Sequence, residues 1–141
     1  MQIAIANDHA GVRLKNQIVE LLKSKYNIGV TNLGSDDEQR VDYPDYAHAL
    51  IEEIIEERAE LGILICGTGI GMSIAANRSS TIRAALCCNE FMAERARRHN
   101  DANVLVLGSK LQEDEVALKL VEIFLNTTFE RGRHLVRLAK I

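Results

Sequence analysis

Leu61-Gly62-Ile63-Leu64-Ile65-Cys66 runs straight into Gly67-Thr68-Gly69-Ile70-Gly71-Met72-Ser73. The first six residues are almost continuously apolar, which is the pattern of a strand covered on both faces rather than one with a wet side. The glycines after Cys66 forbid continuation of the strand and supply the freedom for a tight turn. A short helix is expected from about 72 to 77. A buried strand, a glycine turn and a helix form one half of a β-α-β unit, so the rest of the chain can be searched for the same alternation.

It is found on both sides. Residues 1–6 and 28–33 read as strands before this stretch, and 82–87 and 103–107 as strands after it. Val12, Leu14, Ile18, Leu21 and Leu22 form a helical stripe between the first two. Ala47, Leu50, Ile51, Ile54 and Ile55 form the next. Residues 91–98 follow Asn89, a good N-cap, and Val116, Leu120, Ile123 and Phe124 mark a last long helix. Residues after Thr128 have room for one or two more helical turns. Five β-α repeats predict an α/β fold, a Rossmann-like three-layer sandwich around a five-stranded parallel sheet. The expected strand order is 2-1-3-4-5. In that order the loops after strands 1 and 3 flank the switch point where open α/β sheets bind ligands. Those loops hold the least ordinary residues of the chain: Asn7-Asp8-His9-Ala10-Gly11 and the glycine turn.

Composition narrows the function. The chain has 141 residues, 47% hydrophobic and 26% charged, enough for a core and a solvated surface, and reads as a single domain over 1–141. Aromatic content is 4% with no Trp, and net charge is -3, which argues against a nucleic-acid surface. No run approaches the roughly 20 apolar residues of a membrane span. The first six residues lack the basic flank and length of a signal peptide, so a cytoplasmic protein is expected. The three cysteines, Cys66, Cys87 and Cys88, have no metal-like spacing and read as reduced thiols. After Glu130 the chain is free of acids and carries Arg131, Arg133, His134, Arg137 and Lys140. Such a tail points to an anionic partner.

Gly67, Gly69 and Gly71 can turn their N–H groups toward one point, and the following helix adds its positive end. Thr68 and Ser73 add hydroxyl donors. The turn suits a phosphate or an oxyanion, and equally a bare strand-to-helix turn, since it matches neither the dinucleotide fingerprint nor a P-loop. Cys66 stands at its mouth. It reads either as a buried thiol or as a thiolate favoured by the converging amides, able to act as base or nucleophile. Cys87 and Cys88 lack such a loop and read as core residues. Asp8 and His9 are a site pair or a helix cap beside a surface histidine. Residues 34–45 are polar and hold the only proline, so they read as a loop; Tyr43 lies in it, before Pro44, which is a natural helix start, and a tyrosine there is in position to line a pocket. His99 and Asn100 end the helix that returns from strand 4, at the amino end of the sheet and away from Cys66. The tail with Arg133 and Arg137 leaves from that end too. If these residues serve the Cys66 site, a neighbouring subunit supplies them; alone, they read as a helix-terminal histidine and a solvated basic face.

Taken in order, Asp8-His9-Ala10-Gly11, Asp42-Tyr43-Pro44, Cys66-Gly67-Thr68-Gly69-Ile70-Gly71, Ala75-Ala76-Asn77-Arg78, Ile82-Arg83-Ala84, His99-Asn100-Asp101-Ala102-Asn103 and Gly132-Arg133-His134 span the chain. The set resembles type B ribose-5-phosphate isomerase and its relatives acting on galactose 6-phosphate and allose 6-phosphate. The resemblance implies an aldose–ketose isomerase of ribose 5-phosphate and ribulose 5-phosphate, using no metal or organic cofactor. It implies a homodimer or homotetramer with sites at the subunit interface, reached by the tail over 130–141. Cys66 would be the base, His99 would open the sugar ring with Asp8 near the ring oxygens, and Thr68 would relay a proton. The amides of Gly67, Gly69, Ile70 and Gly71 would hold the enediolate, with Ser73 at the same loop. His9, Arg133 and Arg137 would hold phosphate, and Asn100 and Tyr43 the sugar. Lys110 stands where the family commonly has Arg, keeping the charge but losing the bidentate fork. Asn7 stands where a smaller residue is frequent. A subset of the family takes its base from the glycine-loop helix; this chain has Ala75 and Ala76 there and keeps Cys66. The alternatives are a hexose 6-phosphate isomerase or a non-catalytic module binding a phosphate ligand.

Overall fold

A computed structural model describes residues 1–141. Five strands form one parallel sheet: β1 (Gln2–Asn7), β2 (Gly29–Asn32), β3 (Leu61–Cys66), β4 (Ala84–Leu86) and β5 (Val104–Gly108). Between and after them come α1 (Val12–Ser24), α2 (Tyr43–Ile55), α3 (Ile70–Ala76), α4 (Glu90–Arg98), α5 (Asp114–Asn126) and α6 (Arg133–Leu138). None of these helices is long and apolar enough to cross a membrane.

The α/β sandwich is as expected, but the strand order is not. It is β2-β1-β3-β5-β4 rather than 2-1-3-4-5. The physical reason lies in the two strands exchanged. Every residue of β5 is buried, whereas β4 is three residues long and half-buried throughout. A continuous apolar strand belongs inside the sheet and a short one at its edge. The free edge of β4 is blunted by Asn77, whose Nδ2 donates to the Ala84 carbonyl and whose Oδ1 accepts from the Ala84 N–H, both at 2.9 Å.

Crossover handedness then sorts the helices. Steps in one direction along the sheet, β1 to β2 and β4 to β5, must place their helices on one face, and steps in the other direction on the opposite face. Accordingly α1 and α4 share a face with α5, where Ile18, Leu22, Ala93 and Phe124 pack on Ile3, Ile63, Ile65 and Leu105. The opposite face carries α2 and α3, where Leu50, Met72 and Ala76 pack on Ala4, Ala6, Leu64 and Val106. The period-2 alternation of the strands assigns Cys66 to this second face, together with the helix that begins just after it. The face is lined with small residues. A Cβ on Gly62 would stand 2.6 Å from Leu50 Cδ2, so α2 lies tight against the sheet.

Cys87 is buried at the end of β4, and burial pushes its thiol pKa up to about 12. Cys88, expected in the core, is exposed, because the strand ends before it and the backbone turns outward to start α4. Leu64→Ala, which empties a wholly buried site on the α2 face, is expected to lower stability by about 2–5 kcal/mol in urea unfolding. In the folded protein iodoacetamide should alkylate Cys88 and leave Cys87 unmodified until denaturant is added, as read by peptide mass spectrometry.

Candidate active site

β1 and β3 are neighbours, so their carboxyl-end loops meet. The Asp8 N–H donates to the Ile65 carbonyl at 3.2 Å. Asp8 is almost wholly buried, and its Oδ1 accepts from the Ala10 N–H at 2.9 Å, capping a 3-10 turn over His9–Gly11. The helix-capping role is therefore real, and it leaves Oδ2 without a hydrogen bond inside the chain. His9 Nδ1 accepts from the Val41 N–H at 3.2 Å. A ring nitrogen that accepts carries no proton, so the proton of the neutral ring lies on Nε2, which is a donor for a bound oxygen.

The glycine turn is built for close approach. Gly69 has φ +75, the left-handed region that glycine occupies without strain, and a Cβ there would meet Leu86 Cδ1 at 2.5 Å. This bend brings the Gly69 N–H back to donate to Cys66 Sγ at 3.1 Å. The thiol is 5% exposed. Thr68 Oγ1 accepts from the Ile70 N–H at 3.3 Å, and Ser73 lies one helical turn on, its N–H donating to the Gly69 carbonyl. A Cβ at Gly71 would stand 2.5 Å from Tyr43 Cζ and 2.9 Å from its hydroxyl oxygen. The ring of Tyr43, first residue of α2, therefore lies directly on the start of α3.

The strand order places Lys110. Because β5 adjoins β3, their ladder continues past both strands: the Ser109 N–H donates to the Cys66 carbonyl at 2.8 Å and the Lys110 N–H to the Gly67 carbonyl at 3.0 Å. The Lys110 methylenes run beside Gly67, within 3.8 Å of where its Cβ would be. In the order 2-1-3-4-5 another strand would separate them. Cys66, the glycine amides, Asp8, His9, Tyr43 and Lys110 thus gather at one end of the sheet within a single chain.

His99, Asn100, Arg133 and Arg137 do not join them. α4 runs from the carboxyl end of β4 back to the amino end of β5, and His99 caps its far end. The Glu130 N–H donates to the Arg98 carbonyl at 2.9 Å, tying the tail to that end as well. Arg133 and Arg137 are exposed on α6 and form no ion pair. A groove of about 470 Å³ opens here, lined by Asn77, Arg83, Asn100, Leu138 and Ile141. It includes none of the residues around Cys66.

Several contributors were not legible in the sequence. Lys15 on α1 is wholly buried and ion-paired with Asp36, which fastens the loop carrying Val41. Asn7 is also wholly buried, and its Nδ2 donates to the Asp8 and Ser35 carbonyls at 2.8 and 3.0 Å, joining the first two loops. His134 is 3% exposed and stacks on His99, ring centroids 4.2 Å apart and planes 14° from parallel. Burial, first, and then the neighbouring His99 and Arg133 push its pKa below the ordinary histidine value. Glu130 lies beside both rings, its carboxyl held below the ordinary range chiefly by its hydrogen bond from Arg98. Nitrogen and oxygen atoms of His99, Glu130 and His134 lie within 4.8 Å of one another. They make a poor metal cage. In-plane lone pairs of two nearly parallel rings do not converge on one ion at about 2.0–2.1 Å, and Arg98 occupies the carboxylate.

The Ribose/Galactose Isomerase family profile matches residues 3–141. Ribose-5-phosphate isomerase B of Thermotoga maritima is 50% identical, with a TM-score of 0.95 over 99% of this chain and 95% of that one. The Clostridium thermocellum ribose-5-phosphate isomerase B is 43% identical, with a TM-score of 0.96 over 99% and 94%. The Mycoplasma genitalium ribose-5-phosphate isomerase B, solved with bound ribulose-5-phosphate, is 42% identical, with a TM-score of 0.94 over 99% and 92%. With the family profile and these structures matching it along almost its whole length, this chain belongs to the ribose/galactose isomerase family.

Proposed function

We propose that the chain interconverts ribose 5-phosphate and ribulose 5-phosphate through an enediolate, with Cys66 as the base. The observation that carries this reading is the bend at Gly69, which aims a backbone N–H at Cys66 Sγ from 3.1 Å and sets the thiol at the start of α3. Held there by the turn, the sulfur stands at the mouth of the loop beside the converging amides, where a thiol can serve as a base toward a carbon-bound proton. The ribulose-5-phosphate bound by the Mycoplasma genitalium relative supports the pentose phosphate as substrate.

The reaction follows in four proton movements. His99, from a second copy of the chain, takes the proton of the anomeric hydroxyl and passes it to the ring oxygen, with Asp8 Oδ2 beside the sugar oxygens; the bond between carbon 1 and the ring oxygen breaks and the ring opens to the aldehyde. Cys66 takes the proton on carbon 2, and that electron pair becomes the bond between carbons 1 and 2 as the aldehyde oxygen becomes anionic. The amides of Gly67, Gly69, Ile70 and Gly71 stabilise the enediolate, which is electrostatic catalysis by preorganised donors. Thr68 passes a proton between the two oxygens, and Cys66 returns its proton to carbon 1, leaving the ketone at carbon 2. His9 Nε2, Lys110, and Arg133 and Arg137 of the second copy hold the phosphate. Tyr43, Asn100 and Ser73 orient the sugar. The separation of the two residue sets to opposite ends of the sheet is what calls for two chains. The exposed apolar residues Ile70, Ile74, Leu135, Val136 and Ile141 on α3 and the tail supply surface for their contact.

The first test follows ketose formation from ribose 5-phosphate, allose 6-phosphate and galactose 6-phosphate in EDTA. Turnover of the pentose supports the reading; turnover of a hexose phosphate alone moves the substrate but not the mechanism; turnover of none overturns it. Cys66→Ala is expected to lower kcat at least about 100-fold while the sugar phosphate still binds in calorimetry. Full activity in that variant would remove Cys66 from the mechanism. Gly71→Ala drives a methyl group into the Tyr43 ring and should raise KM about tenfold, the equivalent of one hydrogen bond of ~1.4 kcal/mol. Steady-state kinetics with an unchanged KM would show that Tyr43 does not touch substrate.

A further inference from the structure

His99 is the most constrained of the ring-bearing residues at the tail end of the sheet. One face lies on His134 at 4.2 Å between centroids. Arg95 Nη1 approaches its Nε2 at 3.3 Å, and since a guanidinium only donates, Nε2 accepts and the neutral ring carries its proton on Nδ1. Glu130 Oε2 stands 4.0 Å from the same Nε2, placed to balance the charge when a second proton arrives there. Glu130 is itself fixed by Arg98 Nε at 3.1 Å.

His134 has no comparable satisfaction of its own. Its Nε2 is buried without a hydrogen-bond partner and lies 3.7 Å from Glu130 Oε1. A buried polar atom left unpaired costs stability, of the order of a lost hydrogen bond. Leucine or phenylalanine at this place on α6 would avoid the cost, so packing alone does not account for a histidine whose flat ring lies against His99. His134 is also the only buried residue of α6, with Arg133 and Arg137 exposed on either side of it.

We propose that His134 is a positioning residue: its ring fixes the plane of His99 so that Nε2 meets the sugar's ring oxygens in line. The inference rests on the reading of His99 as the ring-opening group and deepens it. The ring surface, not proton exchange, does the positioning, since burial, His99 and Arg133 all disfavour charge on His134 while Glu130 alone favours it. The charged groups facing the pair are Arg95 and Arg98 from α4, Glu130 from the segment before α6, and Arg133 and Arg137 from α6 itself.

The two directions of the reaction separate this role from a structural one. Ribose 5-phosphate enters as a closed ring and needs opening. Ribulose 5-phosphate cannot form a five-membered ring, because its 5-oxygen carries the phosphate, so exchange of its carbon-1 proton with deuterated water uses the same phosphate contacts and Cys66 but no ring opening. His134→Ala, His134→Phe and His99→Asn are compared in the whole oligomeric protein. His134→Ala is expected to lower kcat for ribose 5-phosphate about 10- to 100-fold, the cost of a reacting group misplaced by about 1 Å, and to leave deuterium exchange into ribulose 5-phosphate unchanged. His134→Phe, which keeps a flat ring, is expected to restore most of that kcat. The ring-current shift of the His99 ring protons should vanish in the alanine variant and survive in the phenylalanine variant. Wild-type kcat in His134→Ala overturns the proposal. So does an equal fall in both reactions, or a rise of KM in both, which would mean a loosened α6. If His99→Asn fails to separate the two reactions, the ring-opening assignment of His99 falls, and the proposal with it, whatever His134 does.

Discussion

The glycine turn fits where it does only because the end of β5 has no side chain. A Cβ on Gly108 would stand 2.7 Å from the carbonyl of Thr68, and a Cβ on Gly69 would meet the Leu107 carbonyl at 3.2 Å. Two backbones approach within van der Waals contact, and the left-handed residue at Gly69 is the hinge of that approach. From it follow the N–H aimed at Cys66, the start of α3, and the continued ladder that carries Lys110 alongside Gly67. An interior position for β5 and a working glycine turn are therefore one constraint, since no other strand of the sheet ends in glycine.

The parallel sheet imposes a second condition. Every helix between parallel strands must run back, so whatever stands at the end of α4 is held a strand's length from the Cys66 end. His99 and Asn100 occupy that place, and Glu130 ties the basic tail to it through the Arg98 carbonyl and side chain. A catalytic site assembled from both ends needs two chains. The polarity of the sheet thus makes association a part of the proposed chemistry rather than an addition to it.

Polar groups buried around the site serve geometry more than stability. Lys15 is wholly buried with its charge on Asp36, a pairing whose desolvation cost offsets much of its attraction. What it secures is the loop whose Val41 N–H fixes the tautomer of His9. Asn7 does the same for the loops at Asp8 and Ser35, and its unpaired Oδ1 lies against Gly34, where a Cβ would be 1.8 Å away. The larger residue at position 7 is accommodated because position 34 is glycine.

Much was legible because it is written in local chemistry. The apolar run at Leu61–Cys66, the glycines after it, the helical stripes and the Asn89 cap depend on neighbours within a few residues, and each predicted its element closely, except that α2 begins at Tyr43, inside the stretch 34–45 that reads as a loop, because Pro44 is accepted in a first helical turn. The Asn89 side chain does accept from the Met92 N–H at 2.9 Å. The ordered motifs through Asp8, Cys66, His99 and Arg133 carried the family. Strand exchange between β4 and β5 was not legible by counting repeats, although the contrast between Val104-Leu105-Val106-Leu107 and Arg83-Ala84-Ala85-Leu86 held the signal, since only the former is apolar enough for two buried faces. Cys88 was misplaced because one residue past a strand's end reverses exposure. The stacking of His134 on His99, the burial of Lys15 and the position of Lys110 beside Gly67 join residues about 20 to 45 positions apart. The sequence by itself determined the elements, the alternation and the reactive residue types, because these follow from short-range sterics and periodicity. Only the tertiary structure decided which loops meet, because that depends on which strand is buried deeply enough to lie inside the sheet.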